Sequence, residues 1–148
     1  MTIPRVLRMT PLATSTLRNE RVRLRDFDLA GVNDVTGADA NDPPDHERAL
    51  GGRSTDRPVV LLAHQPIQVD RAESYGVDLQ LSGHTHGGQL FPQHLFMSLT
   101  QKVVAGLARS GGTQMYVTRG AGFWGPAARV GAPPEVTVLE PRHQPAPS

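Results

Sequence analysis

Between residues 17 and 140 the chain is a series of short apolar runs separated by glycine- and proline-rich turns. Arg21 to Val32, RVRLRDFDLAGV, places Val22 and Leu24, then Phe27 and Leu29, at alternate positions, with a slip of phase near Asp26. Alternation with one slip predicts a strand, a break and a second strand. Asn33 to Asp45 is turn chemistry throughout, with Asn33 and Asp34 read as a turn pair. Pro43 and Pro44 then precede a short helical stretch, DHERALGG, with Asp45 as cap and Gly51 as stop.

Val59 to Ala63 is continuously apolar, the pattern of a strand covered on both faces, and it ends at His64. Pro66 opens a helix that stops at Gly76, and Val77 to Gly83 is the next strand, with Val77, Leu79 and Leu81 sharing one face. Strand–helix–strand is a βαβ unit, whose two parallel strands end on the same edge of a sheet. Open α/β sheets bind ligands on that edge. Three further β-rich runs, KVVAGLAR, QMYVTRG and EVTVLEP, are expected to form an antiparallel sheet packed on the first. Residues 1–16 have no clear period and read as a poorly ordered lead-in. The polar, proline-rich residues 141–148 read as a frayed tail.

Composition narrows the class. The 148 residues suit one domain, and 15 glycines with 13 prolines favour loops over long helices. A net charge of +1 and scattered arginines disfavour nucleic-acid binding; the cluster RNERVRLR alternates with apolar residues, as a strand's polar face does. There are no cysteines, so any metal must be held by His, Asp, Glu, Asn or backbone. No apolar run approaches the ~18–20 residues of a membrane span, and the N-terminus lacks a signal peptide's apolar core. As written, the chain is expected to be cytoplasmic.

The candidate chemistry lies in LQLSGHTHGGQLFP, Leu79 to Pro92. If the two strands of the βαβ unit are neighbours, their ends lie about 5 Å apart, which gathers His64, His84 and His86 into one small volume. Residues two apart point the same way in extended backbone, so His84 and His86 can face one metal or serve two. Gly83, Gly87 and Gly88 permit unusual φ and a close approach of substrate to backbone. His46, His94 and His143 read as ordinary hydrogen-bonded histidines. Arg119, before a glycine-rich loop, is either a phosphate contact or a solvated strand end. Phe123 and Trp124 read as packing residues more than as pocket walls, and Gln89 as a group that orients His86. Asp70, Glu73 and Asp78 read as solvated helix or turn charges.

LRNERVRL, LAGVND, VVLLAHQP, VDLQLSGHTHGGQLFP and YVTRGAGFWGPAARVGAPPEVTVLE occur in that order. Together they resemble the later segments of the calcineurin-like metallophosphoesterases, especially a bacterial subgroup that often carries an N-terminal membrane segment. The resemblance covers roughly residues 17–140. It implies an α/β fold, a partial αββα sandwich, and metal-dependent phosphoester hydrolysis at a dinuclear centre of Mn, Fe or Zn. By position, His64 and His84 would bind one ion and His86 the other, with a bridging hydroxide attacking phosphorus. Gly87, Gly88 and Arg119 would contact the phosphoester substrate.

The family pattern also contains Asp-x-His, Gly-Asp-x-x-Asp and Gly-Asn-His, and none of these is present. The resemblance is therefore to the C-terminal half. The expectation is a truncated or split product with an incomplete dinuclear site, no catalytic residue of its own, and an exposed edge and face at Val59–Ala63. Three imidazoles without a carboxylate do not balance two divalent ions, which leaves at most a three-histidine zinc site. A separately encoded N-terminal half is a conceivable partner. The competing expectation is an inactive remnant, or a half-domain that binds only metal or its partner.

Overall fold

The computed structural model describes residues 16–90, 103–125 and 128–142. The 1–16 lead-in save Thr16, most of the tail, Lys102, His94 and His143 lie outside them.

Among the described residues six short strands form one mixed sheet: β1 (Glu20–Arg23), β2 (Asp28–Gly31), β3 (Val59–Leu62), β4 (Leu79–Ser82), β5 (Gly106–Ser110) and β6 (Thr113–Val117), in the order β1-β2-β3-β4-β6-β5. The slip of phase near Asp26 is a hairpin. Leu24 N–H donates to Phe27 O at 3.0 Å, and β1 returns antiparallel as β2. β2, β3, β4 and β6 run parallel, and β5 closes the far side antiparallel to β6.

Two expectations change here. Among the described residues the late runs build no second sheet. β6 pairs with β4, and 135–141 has no regular structure, with Val136 and Val138 almost fully exposed. Nor does β3 lie on an edge. β2 comes back alongside it, Asp28 opposite Val59, so β3 is an interior strand and Val59 and Leu61 are fully buried.

Helices cover one face of the sheet. α1 (His46–Leu50) starts where Asp45 accepts from Arg48 N–H at 2.9 Å and stops at Gly51, as its sequence predicts. The stretch after Pro66 is a 3-10 turn (Pro66–Gln68) that runs into α2 (Val69–Ser74), ended by Gly76 at φ +64°. Ala30, Ala49, Leu50, Val59, Leu61, Ala72 and Val77 form the core beneath them.

The inward face of β4 is polar, although the apolar residues of the stretch are Val77, Leu79 and Leu81. Gln80 and Ser82 are buried, while Leu79 and Leu81 are half-buried on the other face. Hydrogen bonds make this tolerable. Gln80 Nε2 donates to Ser82 Oγ at 2.9 Å, and Ser82 Oγ donates to Ala63 O at 2.7 Å. Asp78 is not a free turn charge, since its carboxylate accepts from Val59 N–H at 2.7 Å and registers β4 on β3. Asp70 and Glu73 are exposed on α2 as expected.

Candidate functional site

Four parallel strands end on one edge of the sheet, and each is followed by a residue of chemical interest. Asp34 follows β2, His64 follows β3, His84 and His86 follow β4, and Arg119 follows β6. The ladder between β3 and β4 continues past the strands, with Gly83 N–H donating to His64 O at 3.0 Å. His84 Nδ1 thereby comes to 3.3 Å from His64 Nε2, with the rings edge-to-face at 84° and centroids 5.1 Å apart.

That separation has two meanings. If one ring carries a proton on its facing nitrogen, it is a long hydrogen bond. Two nitrogens each ~2.0–2.1 Å from a tetrahedral ion also stand about 3.3 Å apart. The separation of the two nitrogens is thus also the one that a shared tetrahedral cation requires. Both residues are exposed. Partial burial pushes the His84 pKa below the ordinary histidine value, the positive forms of His64 and His86 add to this, and Asp34 opposes it. A depressed pKa keeps the ring neutral, the state a metal ligand needs.

His86 goes elsewhere. The loop after β4 is not extended: His84 (φ 70°), His86 (φ 49°), Gly87 (φ 64°), Gly88 (φ 81°) and Gln89 (φ 41°) are left-handed, with only Thr85 between them at φ −71°. Each left-handed non-glycine residue costs about 1–2 kcal/mol. The loop is held there by Thr85, which is buried and donates through Oγ1 to Val104 O at 2.6 Å. This twist sends the His86 ring to Arg129, whose Nη2 is 3.2 Å from His86 Nδ1. Among the described residues no three His, Asp or Glu side chains converge as a cation site. His86 still lines the same cavity of about 330 Å³ as His64, His84, Gly88, Gln89 and Trp124.

Asp34 is the carboxylate that sequence reading leaves as a turn residue. Its Oδ1 accepts from Thr36 N–H, Thr36 Oγ1 and Gln65 Nε2 at 2.9, 2.6 and 3.1 Å, while buried Oδ2 has no partner. Burial alone would raise its pKa; these hydrogen bonds and the nearby His64 charge outweigh that and lower it. Its link to Gln65, the residue after His64, joins the β2 and β3 exits.

Arg119 lies across Gly87, where an added Cβ would sit 2.8 Å from Arg119 Cγ. It pairs with Glu135 at 3.7 Å. Glu135 is held below the usual carboxylate range, first by the Arg119 backbone N–H and then by Tyr116 and Thr118. Gln89 grips the Trp124 backbone twice, Nε2 to O and Oε1 from N–H, both at 2.6 Å. Trp124 and Phe123 are 70% and 59% exposed, so neither is a core packing residue. Arg129 and Thr85 carry no sequence signal; their roles appear only once the loops are folded together.

The chain matches no family model, and no solved structure matches it. An uncharacterized metallophosphoesterase of Helicobacter pylori is 43% identical over 141 residues, covering 92% of this chain and 38% of the relative. The phosphodiesterase YaeI of Escherichia coli is 37% identical over 121 residues, covering 78% of this chain and 42% of that protein. A zebrafish transmembrane protein with a metallophosphoesterase domain is 40% identical over 117 residues, 75% of this chain and 27% of its own. The chain belongs to the metallophosphoesterase family and spans less than half the length of these relatives. Among the described residues no helix is long and apolar enough to cross a membrane.

Proposed function

We propose that this chain carries the histidine side of a divalent-metal centre for phosphoester hydrolysis. The observation that carries this reading is the 3.3 Å approach of His64 Nε2 to His84 Nδ1 at the ends of two neighbouring parallel strands. His64 and His84 would hold one ion, with Mn, Fe and Zn the candidates and two imidazoles favouring Zn among them. A divalent ion bound there would polarise a phosphoryl oxygen and activate water. Around it, Gly87 and Gly88 allow a phosphoester close to the backbone, and Arg119 offers a cation that must compete with its Glu135 pairing. The names of the relatives support the substrate class.

A dinuclear centre needs oxygen donors that balance two dications. Asp34 is a carboxylate whose charge acts with both rings, and among the described residues no three His, Asp or Glu side chains converge as a cation site. That shortage favours a second reading, a half-domain that takes up metal, or pairs with a separately encoded half, without catalysing on its own. The two readings separate in one assay. The chain is loaded with Zn²⁺, Mn²⁺ or Fe²⁺ and offered bis(p-nitrophenyl) phosphate. Metal-dependent hydrolysis abolished by His84→Ala supports the first. Metal uptake without turnover supports the second, and no uptake at all removes the first and leaves of the second only pairing with a separately encoded half.

A further inference from the structure

Arg129 reaches the histidine loop from 43 residues away in sequence. Its Nε donates to Gly122 O at 2.9 Å, Nη1 to His86 O at 3.3 Å and Ala132 O at 3.2 Å, and Nη2 to Arg119 O at 2.9 Å and also to Gly122 O. One half-buried guanidinium thus ties the His86 backbone to the loop that follows β6. The same Nη2 lies 3.2 Å from His86 Nδ1.

A guanidinium has five N–H donors and no acceptor. Nη2 shares its two hydrogens among three acceptors, so the bond to Nδ1 is not exclusive. A proton on Nδ1 is excluded all the same, because it would point at a cation that cannot accept it. Nδ1 must therefore present its lone pair, and the neutral ring carries its proton on Nε2. Ordinary metal-ligating histidines do the reverse. They donate their second N–H to a carboxylate, carbonyl or water and keep the other lone pair for the ion.

We propose that Arg129 is the positioning residue of His86: it fixes the ring beside the cavity and locks it as the Nε2–H tautomer. Two consequences follow. A cation can use His86 only through Nδ1, by taking the place of Arg129. Until it does, His86 offers the cavity a hydrogen-bond donor suited to an anionic oxygen rather than a lone pair suited to a metal. The second consequence rests on the phosphoester reading; the tautomer does not.

The test uses the full chain, ¹⁵N-labelled and metal-free, and multiple-bond ¹H–¹⁵N correlation of the imidazoles at a fixed pH above neutrality. His86→Gln assigns the resonances. The expected pattern for His86 is a proton on Nε2 and an unprotonated Nδ1, giving way to a tautomer mixture in Arg129→Ala. Addition of Zn²⁺ is expected to move the Nδ1 resonance and leave Nε2 protonated. A proton on Nδ1 in the unsubstituted chain overturns the proposal whether or not Arg129→Ala folds. So does an unchanged Nε2–H pattern in a folded Arg129→Ala chain. Failure of Zn²⁺ to bind, with the Nε2–H tautomer intact, upholds the role of Arg129 and counts only against the metal reading.

Discussion

His46 is buried at the start of α1, its Nε2 without a partner, and its ring stacks on Tyr75 at 6.4 Å and 17°. Burial and the charge of Arg71 push its pKa down, with Asp45 opposing. The unfolded chain then takes up a proton near the ordinary value of about 6.5 that the folded chain resists, so stability is full above that pH and falls below it until the folded pKa is passed. His46→Phe should remove this share of the acid sensitivity while keeping the stack, as measured by urea midpoints at neutral and mildly acidic pH; an unchanged pH slope would refute it. Gly87 is left-handed and packed under Arg119, so Gly87→Ala should cost roughly 1–3 kcal/mol in the same measurement. Gln89→Ala should release the Trp124 backbone. Because Trp124 is the chain's single tryptophan, the change should appear directly as lower fluorescence anisotropy. At this scale the sequence shows His64 and His84, because a histidine that ends a strand and a Gly-His-Thr-His-Gly-Gly stretch stand out by type and spacing. Arg129 is invisible there: it acts on His86 across 43 residues of loop, and no local pattern records a contact that only the folded chain creates.

At the level of elements, apolar alternation and the caps of α1 are local and can be read directly. Which strand pairs with which cannot. β6 has the same alternating look in a second sheet as it has beside β4, and only the parallel register of Gln114–Val117 on Leu79–Ser82 decides. The buried Gln80 and Ser82 mislead for a related reason: Gln80 Nε2 donates to Ser82 Oγ, which donates to Ala63 O, and polar side chains tied in this way inside, even with Gln80 Oε1 left unpartnered, defeat a reading based on hydrophobic alternation. Asn19 shows how far element packing depends on single polar groups. It is buried at φ 54°. Its Oδ1 accepts from Asn33 N–H at 3.0 Å and Asp45 N–H at 2.9 Å, and its Nδ2 donates to Pro43 O at 2.9 Å. One side chain thus fastens the entry to β1, the exit of β2 and the cap of α1. Asn19→Ala should lower unfolding free energy by roughly 2–4 kcal/mol, because three hydrogen bonds are lost and alanine is held at a left-handed position. A loss under about 0.5 kcal/mol would mean that water replaces all three.

Across the molecule the sheet is asymmetric. Helices seal one face, while the other carries half-buried Leu29, Leu79, Leu81 and Tyr116 with exposed Leu62 and Leu107. An apolar surface of this kind binds hydrophobic dyes and invites association. Leu107→Glu should therefore reduce bis-ANS binding without lowering the melting temperature; an unchanged dye signal would place the sticky surface elsewhere. The parallel strands give the other whole-molecule feature, a single sheet edge on which Asp34, His64, His84 and Arg119 all emerge. Whether that edge binds metal is decided by elemental analysis of the purified, folded chain after zinc loading and dialysis, with His64→Ala and His84→Ala prepared alongside. One equivalent of zinc, lost in both variants and kept in His46→Phe, is the expected result. A folded chain that retains no zinc, or retains it after both histidines are removed, would contradict a metal centre built on the His64–His84 pair.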